Sequence, residues 1–263
     1  MALTTVVSSI SPSTLERLSG RSRSCIERLR NCKLERPDLS RQPTVKLAAV
    51  LVLLYEEAGK LRVLLTTRSK QLRSHPGQTA LPGGKVDDCD PDLVHAALRE
   101  AYEEVGLDFD ASDTLCVLPP FLSASQLLVT PVVALLKDTS TLEQLKPSVT
   151  EVDHIFNHPL EALLDPTLVS EEPNLTEKGS ENWPYEADYH TINDVNLPTH
   201  DNLVYRNLRF RSSASPVKGL TAEILILVAE IAYNSSPKYN RYSPGQAEST
   251  ANLIRLRMQQ YEL

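Results

Sequence analysis

The segment 83–107 limits what this chain can fold into more than any other part of its sequence. It opens with a glycine pair and continues into a helical pattern whose two ends both carry recognisable signals. Asp90 can cap the helix, Pro91 suits its first position, and Gly106 can end it. The segment therefore predicts a tight turn followed, within a few residues, by a helix over Asp92–Val105.

Three glutamates lie together on this predicted helix. At about 100° per residue, Glu100, Glu103 and Glu104 fall within one stripe about 100° wide. Carboxylates at this spacing repel one another, so the stripe is destabilising unless a cation lies against it. Mg²⁺ prefers oxygen ligands and commonly binds substrate phosphates as well, which makes the stripe a candidate metal site. Taken alone, the three glutamates are better explained as a solvated acidic helix face.

Apolar runs on both sides of this segment predict strands. Val45–Tyr55 is mostly apolar with β-branched residues, and Leu61–Thr67 follows it after a short polar stretch, so the two are expected to form a hairpin or neighbouring strands. Two further strands and one helix are predicted at Leu115–Phe121, Val129–Leu136 and Leu220–Tyr233.

The charges of the chain are unevenly distributed. The net charge is −7, which argues against a general nucleic-acid-binding protein, since such proteins carry a basic excess. Residues 60–85 nevertheless contain six Lys or Arg and no acid, and residues 86–113 contain ten Asp or Glu and one base. A basic segment directly followed by an acidic one indicates a site that holds both an anion and a cation. Two separate solvated faces would give the same pattern.

Cysteine spacing and apolar run length exclude other classes of protein. The four cysteines have no CxxC spacing, which argues against a zinc site or a disulfide framework and favours reduced thiols in an intracellular protein. The longest apolar run, Leu47–Tyr55, is far shorter than the roughly 18 residues that a membrane-spanning helix needs. We therefore expect no membrane partner.

The predicted main domain, 45–233, contains an insertion and is flanked by an N-terminal arm and a C-terminal tail. The arm 1–44 contains eight Lys or Arg and four Asp or Glu, and we expect a helix over Ser13–Cys32 together with a flexible leader. A mitochondrial transit peptide is the alternative, which the acidic residues of the arm weaken. Residues 161–201 contain ten acids and one lysine with little periodicity, which predicts a solvated insertion. The tail 234–263 is expected to contain a short helix over Asn252–Met258.

Segment 83–107 is similar to the Nudix box. It reads Gly-Gly, fourteen residues, and then Arg-Glu-Ala-Tyr-Glu-Glu-Val-Gly-Leu, which matches the family's Arg-Glu-apolar-x-Glu-Glu-x-Gly-apolar at every defined position. The spacing before Arg99 is one residue longer than usual, and Asp90 stands for the family's first glutamate. The resemblance implies an α/β fold, namely a Nudix α/β/α sandwich with a mixed β-sheet between helices.

The resemblance also implies roles for individual residues. Nudix enzymes cleave a nucleoside diphosphate linked to another group, by attack of water at phosphorus with Mg²⁺ or Mn²⁺ bound. Arg99 is expected to orient the glutamates through charge-assisted hydrogen bonds. The general base is left open between Glu103 and Glu151, which lies in a loop where some members place it. The implied metal ligands are Glu100, Glu103, Glu104 and the carbonyl of Gly84.

The basic segment upstream narrows the implied substrate. Residues 64–84 resemble the signature Leu-Leu-Thr-x-Arg-Ser-(3)-Arg-x-x-x-Gly-x-x-x-Phe-Pro-Gly-Gly of coenzyme A diphosphatases, with Leu81 in place of Phe. That subfamily shares the longer box spacing, and the stretch 219–222 also resembles it, although Lys218 precedes this stretch where an aromatic residue is usual. Coenzyme A carries a 3′-phosphate beside its pyrophosphate, so additional cations near the metal are expected. The implied substrate-binding residues are Arg68, Arg73, Gln78 and Gly83.

The implied function is metal-dependent hydrolysis of coenzyme A, and of its oxidised or acylated forms, to 3′,5′-ADP and 4′-phosphopantetheine by a monomer or homodimer. Hydrolysis of oxidised nucleoside triphosphates such as 8-oxo-dGTP would use the same box and is the main alternative. A non-catalytic nucleotide- or coenzyme A-binding module is opposed by the intact glutamates, and RNA cap hydrolysis by the charge of −11 on residues 45–263. The family resemblance favours a peroxisome or mitochondrion, while the cytoplasm stays open.

Overall fold

A hairpin of two apolar strands forms the centre of a mixed sheet in the computed structural model, which describes residues 10–34, 46–123, 125, 127–197, 203–244 and 246. Strand β1 (Leu47–Glu57) pairs antiparallel with β2 (Lys60–Arg68), as predicted, through a turn in which both residues have positive φ. The other strands of this sheet are β3 (Thr79–Ala80), β4 (Gly83–Lys85), β5 (Ser112–Val117), β6 (Phe121–Leu122), β7 (Leu128–Leu136) and β8 (Val152–Pro159).

The sheet mixes parallel and antiparallel pairing. Strand β7 runs parallel to β1, and β5 and β6 pair antiparallel with β7. Strand β8 pairs with β2 along nearly its whole length, while β3 pairs with the end of β2 and β4 with the start of β1. The start of β1, the end of β2 and the start of β8 therefore lie at one end of the sheet, together with the loops that follow or precede them.

Helices cover both faces of this sheet. Helix α3 (Leu93–Val105) packs small side chains, including Ala97 and Ala101, on one face. Helices α1 (Pro12–Glu16), α2 (Gly20–Arg30) and α4 (Gly219–Tyr233) lie on the other face, where α4 contributes more buried apolar residues than the other two helices. The predicted α/β/α sandwich with a mixed sheet between helices is confirmed, as is the helix predicted at Leu220–Tyr233.

The start of α3 differs from the prediction. Asp92, rather than Asp90, caps the helix by accepting a hydrogen bond from the backbone N–H of His95 at 2.8 Å, and Pro91 lies outside it. Asp90 is unavailable as a cap because its carboxylate binds Arg99 and the His95 ring. The other end is as predicted, since Gly106 adopts φ 72° and ends the helix in the left-handed conformation.

The N-terminal arm contains two short helices instead of the single helix predicted over Ser13–Cys32. The helix is interrupted before α2 because Ser19 caps α2 and also binds the carboxylate of Glu56 on β1. Ile26 and Leu29 are fully buried against the sheet, so this part of the arm belongs to the core. Residues 1–9 of the arm, which belong to the predicted leader, and the helix predicted at Asn252–Met258 lie outside the described residues.

The described part of the predicted solvated insertion 161–201, residues 161–197, contains buried side chains and regular structure. Trp183 is fully buried within the insertion and donates its indole N–H to the carbonyl of Ala187 at 2.7 Å. The insertion then enters a second sheet, in which β10 (Leu203–Phe210) pairs antiparallel with both β9 (His190–Leu197) and β11 (Val217–Lys218). This second sheet leads directly into α4 and therefore connects the insertion to the main domain.

Two exclusions drawn from the sequence can be compared with the structure. Cys25, Cys32, Cys89 and Cys116 are all free thiols, as expected. None of the helices in the described parts of the chain is both long and apolar enough to cross a membrane.

Candidate active site

The glycine pair lies where β4 passes between β1 and α3. A Cβ atom on Gly83, whose φ is 153°, would lie 2.4 Å from the carbonyl oxygen of Ala49. A Cβ atom on Gly84 would lie 2.5 Å from the carboxyl group of Glu100 on α3. A larger residue at Gly83 must therefore displace the backbone of β1, and a larger residue at Gly84 must displace the side chain of Glu100.

Glu104 is the most deeply buried of the three predicted carboxylates, with 4% of its surface exposed. Its Oε2 accepts a hydrogen bond from the backbone N–H of Gly83 at 3.3 Å, and its Oε1 lies 3.9 Å from Nη1 of Arg68. Burial raises the pKa of Glu104 to about 8. The Gly83 N–H and Arg68 oppose this rise, whereas the charges of Glu100 and Glu151 add to it.

Glu100 and Glu103 continue the stripe from the interior towards solvent. Glu100 is partly buried, which raises its pKa, while the neighbouring Arg99 acts in the opposite direction. The side chain of Glu103 is 52% exposed. The two carboxylates meet the same guanidinium nitrogen, Nη1 of Arg99, at 3.1 Å and 3.3 Å.

Arg99 is held on its opposite side by Asp90. Its Nε and Nη2 donate to the two oxygens of the Asp90 carboxylate at 3.0 Å and 2.9 Å, and Nη2 also donates to the carbonyl of Lys85 at 3.0 Å. The Asp90 side chain is inaccessible to solvent, and the hydrogen bonds from Arg99 hold its pKa well below the usual range. These contacts fit the positioning role predicted for Arg99. The sequence interpretation missed Asp90 as the anchor because it had assigned this residue to the helix cap.

The loop 68–78 closes on itself beside Glu104. The backbone N–H of Arg68 donates to the carbonyl of Gln78 at 2.9 Å, and that of Gly77 donates back to the carbonyl of Arg68 at 3.0 Å. Of the substrate-binding residues predicted on this loop, Arg68 therefore meets the carboxylate stripe and Gln78 lies beside Arg68. Arg73 is exposed on the loop surface, and the described residues offer it no ion-pair partner.

Glu151 joins the site from β8. The residue directly precedes this strand, and its carbonyl accepts a hydrogen bond from the backbone N–H of Ser69 at 2.8 Å. Its negative charge is close enough to raise the pKa values of both Glu100 and Glu104. Glu103 is part of the stripe on α3, and Glu151 approaches the stripe from the residue before β8. The choice between them as the base stays a prediction.

The carboxylates are not arranged around a common centre. Among the residues that the structure describes, no group of three or more His, Cys, Asp or Glu side chains is positioned to hold a metal ion. Glu100 and Glu103 are turned to Arg99, and Glu104 is turned to the glycine turn. The metal-ligand roles of the three glutamates and of the Gly84 carbonyl therefore stay predictions.

A cluster of hydroxyl groups near this site was not found from the sequence. Thr79, on β3, donates its hydroxyl to the carbonyl of Ser215 at 2.6 Å, and the Thr67 hydroxyl lies 3.2 Å from that of Ser215. Thr221, in the first turn of α4, donates to the carbonyl of Thr79 at 3.2 Å. No local sequence pattern marks these residues, because they are far apart in the chain and meet only in the folded structure. Their hydrogen bonds attach the end of loop 68–78 to the start of α4.

The chain matches one protein-family model and several known proteins. The model of the NUDIX domain matches residues 45–179. The protein "Nudix hydrolase 15, mitochondrial" of Arabidopsis thaliana is 36% identical over 201 residues, which make up 76% of this chain and 63% of that protein. The "Peroxisomal coenzyme A diphosphatase NUDT7" of Mus musculus is 32% identical over 73% of this chain and 72% of that protein.

A shorter match is more similar. The "Peroxisomal coenzyme A diphosphatase ndx-8" of Caenorhabditis elegans is 44% identical over 49% of this chain and 57% of that protein. The chain thus spans less than two thirds of the length of the Arabidopsis and nematode relatives that it matches.

Proposed function

Because this chain belongs to the Nudix family, we propose that it is a metal-dependent hydrolase that cleaves the pyrophosphate of coenzyme A to 3′,5′-ADP and 4′-phosphopantetheine. One observation carries the proposal: Arg68, from the loop with the coenzyme A-type signature, lies 3.9 Å from the buried carboxylate of Glu104 on the Nudix helix. The two segments that were interpreted separately in the sequence thus meet at one point.

The donor atoms at this point suit a hard divalent cation. Glu104 is a buried carboxyl group with a raised pKa and one arginine near it, so an additional cation would stabilise its ionised form. Mg²⁺ and Mn²⁺ both prefer oxygen ligands. The residues that would hold the ion are Glu100, Glu103, Glu104 and the carbonyl of Gly84. When bound, the ion neutralises the pyrophosphate and lowers the pKa of a water molecule.

The remaining site residues position the reactants. Arg99 positions Glu100 and Glu103, because every nitrogen of its guanidinium already donates to an oxygen of the protein. We assign the pyrophosphate and the neighbouring part of the substrate to Arg68, Arg73, Gln78 and the turn at Gly83. Glu151 is our candidate for removing the proton of the attacking water, with Glu103 as the alternative.

The first experiment is product analysis with the purified full-length chain. With Mg²⁺ or Mn²⁺ we expect release of 3′,5′-ADP from coenzyme A, resolved by chromatography, and a fall in rate of at least about 100-fold for Glu104→Gln. Glu143→Gln, which makes the same charge change at an exposed position, is the matched control. Absence of any 3′,5′-ADP from the unmodified protein would reject the proposal.

The same assay separates the alternatives. Faster hydrolysis of 8-oxo-dGTP than of coenzyme A would favour nucleotide clean-up, and binding of coenzyme A without metal-dependent product would favour a binding module. Arg68→Ala should lower kcat/KM for coenzyme A more than for the nucleotide. We also propose a peroxisomal or mitochondrial location, which imaging of the tagged full-length chain tests.

A further inference from the structure

Two cations of the second sheet face each other directly. Arg209 on β10 and Lys218 on β11 are partners in the antiparallel register, a position in which like charges destabilise a sheet. Both side chains are partly exposed, and neither forms an ion pair with any carboxylate of the described residues. The Arg209 guanidinium instead lies over the ring of Tyr185, 5.5 Å from its centroid. The pair is therefore accessible and uncompensated in charge.

The surroundings of Lys218 disfavour its charged form. Partial burial lowers the pKa of Lys218, and the nearby Arg209 lowers it further. An anion between the two side chains would remove their repulsion and stabilise the ammonium form. The planar guanidinium can also form two parallel hydrogen bonds with a phosphate, while the lysine acts as a point charge.

Hydrogen bonds connect the segment on either side of Lys218 to the candidate active site. Ser215 and Thr221, three residues before and three residues after Lys218, both bind Thr79. Thr79 follows Gln78, the last residue of loop 68–78. At the other side of the same loop, Lys70 forms an ion pair with Glu181 of the insertion at 3.3 Å. The loop with the substrate signature thus lies between the carboxylate stripe and the segment that carries the cations.

We propose, on the premise of the proposed function, that Arg209 and Lys218 bind a phosphomonoester of the substrate that is separate from the pyrophosphate, namely the 3′-phosphate of coenzyme A. Arg68 is already paired with Glu104 beside the carboxylate stripe, so it belongs to the pyrophosphate end. The ribose separates the second phosphate from the pyrophosphate, so the second phosphate requires cations of its own. This role makes the second sheet a determinant of specificity.

Two substrates that differ only in this phosphate test the proposal. For Lys218→Gln and, separately, Arg209→Gln, we expect KM for coenzyme A to rise about tenfold, the effect of one charged hydrogen bond, while KM for 3′-dephospho-coenzyme A stays unchanged. Lys218→Arg should retain the preference for coenzyme A. Lys60→Gln removes one positive charge at the far end of β2 and is the matched control. Equal changes in KM for both substrates, or no change for either, would overturn the proposal.

A binding measurement keeps this test separate from the proposed function. Calorimetry with 3′,5′-ADP and 5′-AMP compares the same phosphate without turnover. We expect the unmodified chain to bind 3′,5′-ADP more tightly and Lys218→Gln to weaken only that nucleotide, by about tenfold. If neither coenzyme A nor its dephospho form is hydrolysed but this difference is seen, the proposed function fails and the phosphate site stands. Equal affinity for the two nucleotides, or binding of neither, overturns the site.

Discussion

Alanine substitution should mainly lower stability at Gly83 and mainly lower activity at Gly84. At Gly83 the new Cβ would lie 2.4 Å from the Ala49 carbonyl oxygen and 2.6 Å from the Val50 Cα, both backbone atoms of the central strand β1. At Gly84 the atoms within 2.6 Å all belong to the carboxyl group of Glu100, the end of a flexible side chain. The first contact is relieved only by moving a strand, and the second by rotating one side chain.

The expected magnitudes follow from these contacts. For Gly83→Ala, overpacking and a backbone conformation that alanine rarely adopts together should lower the free energy of unfolding by about 3 kcal/mol. In a chain of this size that corresponds to a fall in Tm of about 10 °C. For Gly84→Ala the cost in stability should stay below about 1 kcal/mol, since an off-rotamer side chain costs no more than this order. Its turnover of coenzyme A should fall about 100-fold because Glu100 is displaced.

Urea denaturation and the rate of 3′,5′-ADP release, measured on the same preparations, check both effects. Gly20→Ala is the control, because no atom lies within 4 Å of its added Cβ and its φ is ordinary, so stability should not fall and the rate should stay unchanged. The reasoning is refuted if Gly84→Ala loses more stability than Gly83→Ala. It is equally refuted if Gly84→Ala turns over coenzyme A at the unmodified rate.

Two further substitutions test buried titratable side chains away from the glycines. Burial, and secondarily Arg62, lowers the pKa of His158 to about 4, so the unfolded chain binds this proton at higher pH than the folded chain does. Through this group the free energy of unfolding should therefore fall by about 3 kcal/mol between pH 6.5 and pH 4. Urea denaturation of the unmodified protein and of His158→Gln at several pH values measures this loss. The same pH dependence of stability in both proteins would contradict the prediction. Asp90→Asn leaves the Arg99 guanidinium without its buried anion, so it should lower the free energy of unfolding by about 3 kcal/mol and slow turnover. The control is Asp87→Asn, at an exposed carboxylate 3.7 Å from Arg99, which should change neither stability nor turnover.

Local patterns predicted the centre of the fold well. The hairpin β1–β2 and the left-handed cap at Gly106 depend on residues adjacent in sequence, so apolar runs and single glycines were sufficient to predict them. The N-cap of α3 was predicted two residues early, at Asp90 instead of Asp92, for a physical reason. Asp90 and Asp92 are equally good caps by type, and the choice between them depends on Arg99, which reaches back across more than two helical turns to bind Asp90.

The residues of the candidate site could be predicted from the sequence, but how deeply each of them is buried could not. A helical wheel gives the angle between Glu100, Glu103 and Glu104, and it does not say which edge of the stripe faces the sheet. Only the packing of β4 on α3 makes Glu104 buried and Glu103 exposed. The raised pKa of Glu104 follows from that packing, and so does its approach to Arg68 from a different strand.

The acids of the insertion show why a charge count does not decide whether a segment is solvated. Glu172 is mostly buried and binds the guanidinium of Arg62 on β2, and Glu181 pairs with Lys70 on the substrate loop. The partners of these acids lie about a hundred residues earlier in the chain, so each carboxylate has no cation beside it in sequence although it has one in the structure. The acids thereby attach the insertion to the basic segment 60–85, whose excess charge they partly neutralise. Arg209 and Lys218, which follow the insertion, face no such carboxylate in the described chain, and this difference is what makes them candidates for a bound phosphate rather than a structural ion pair.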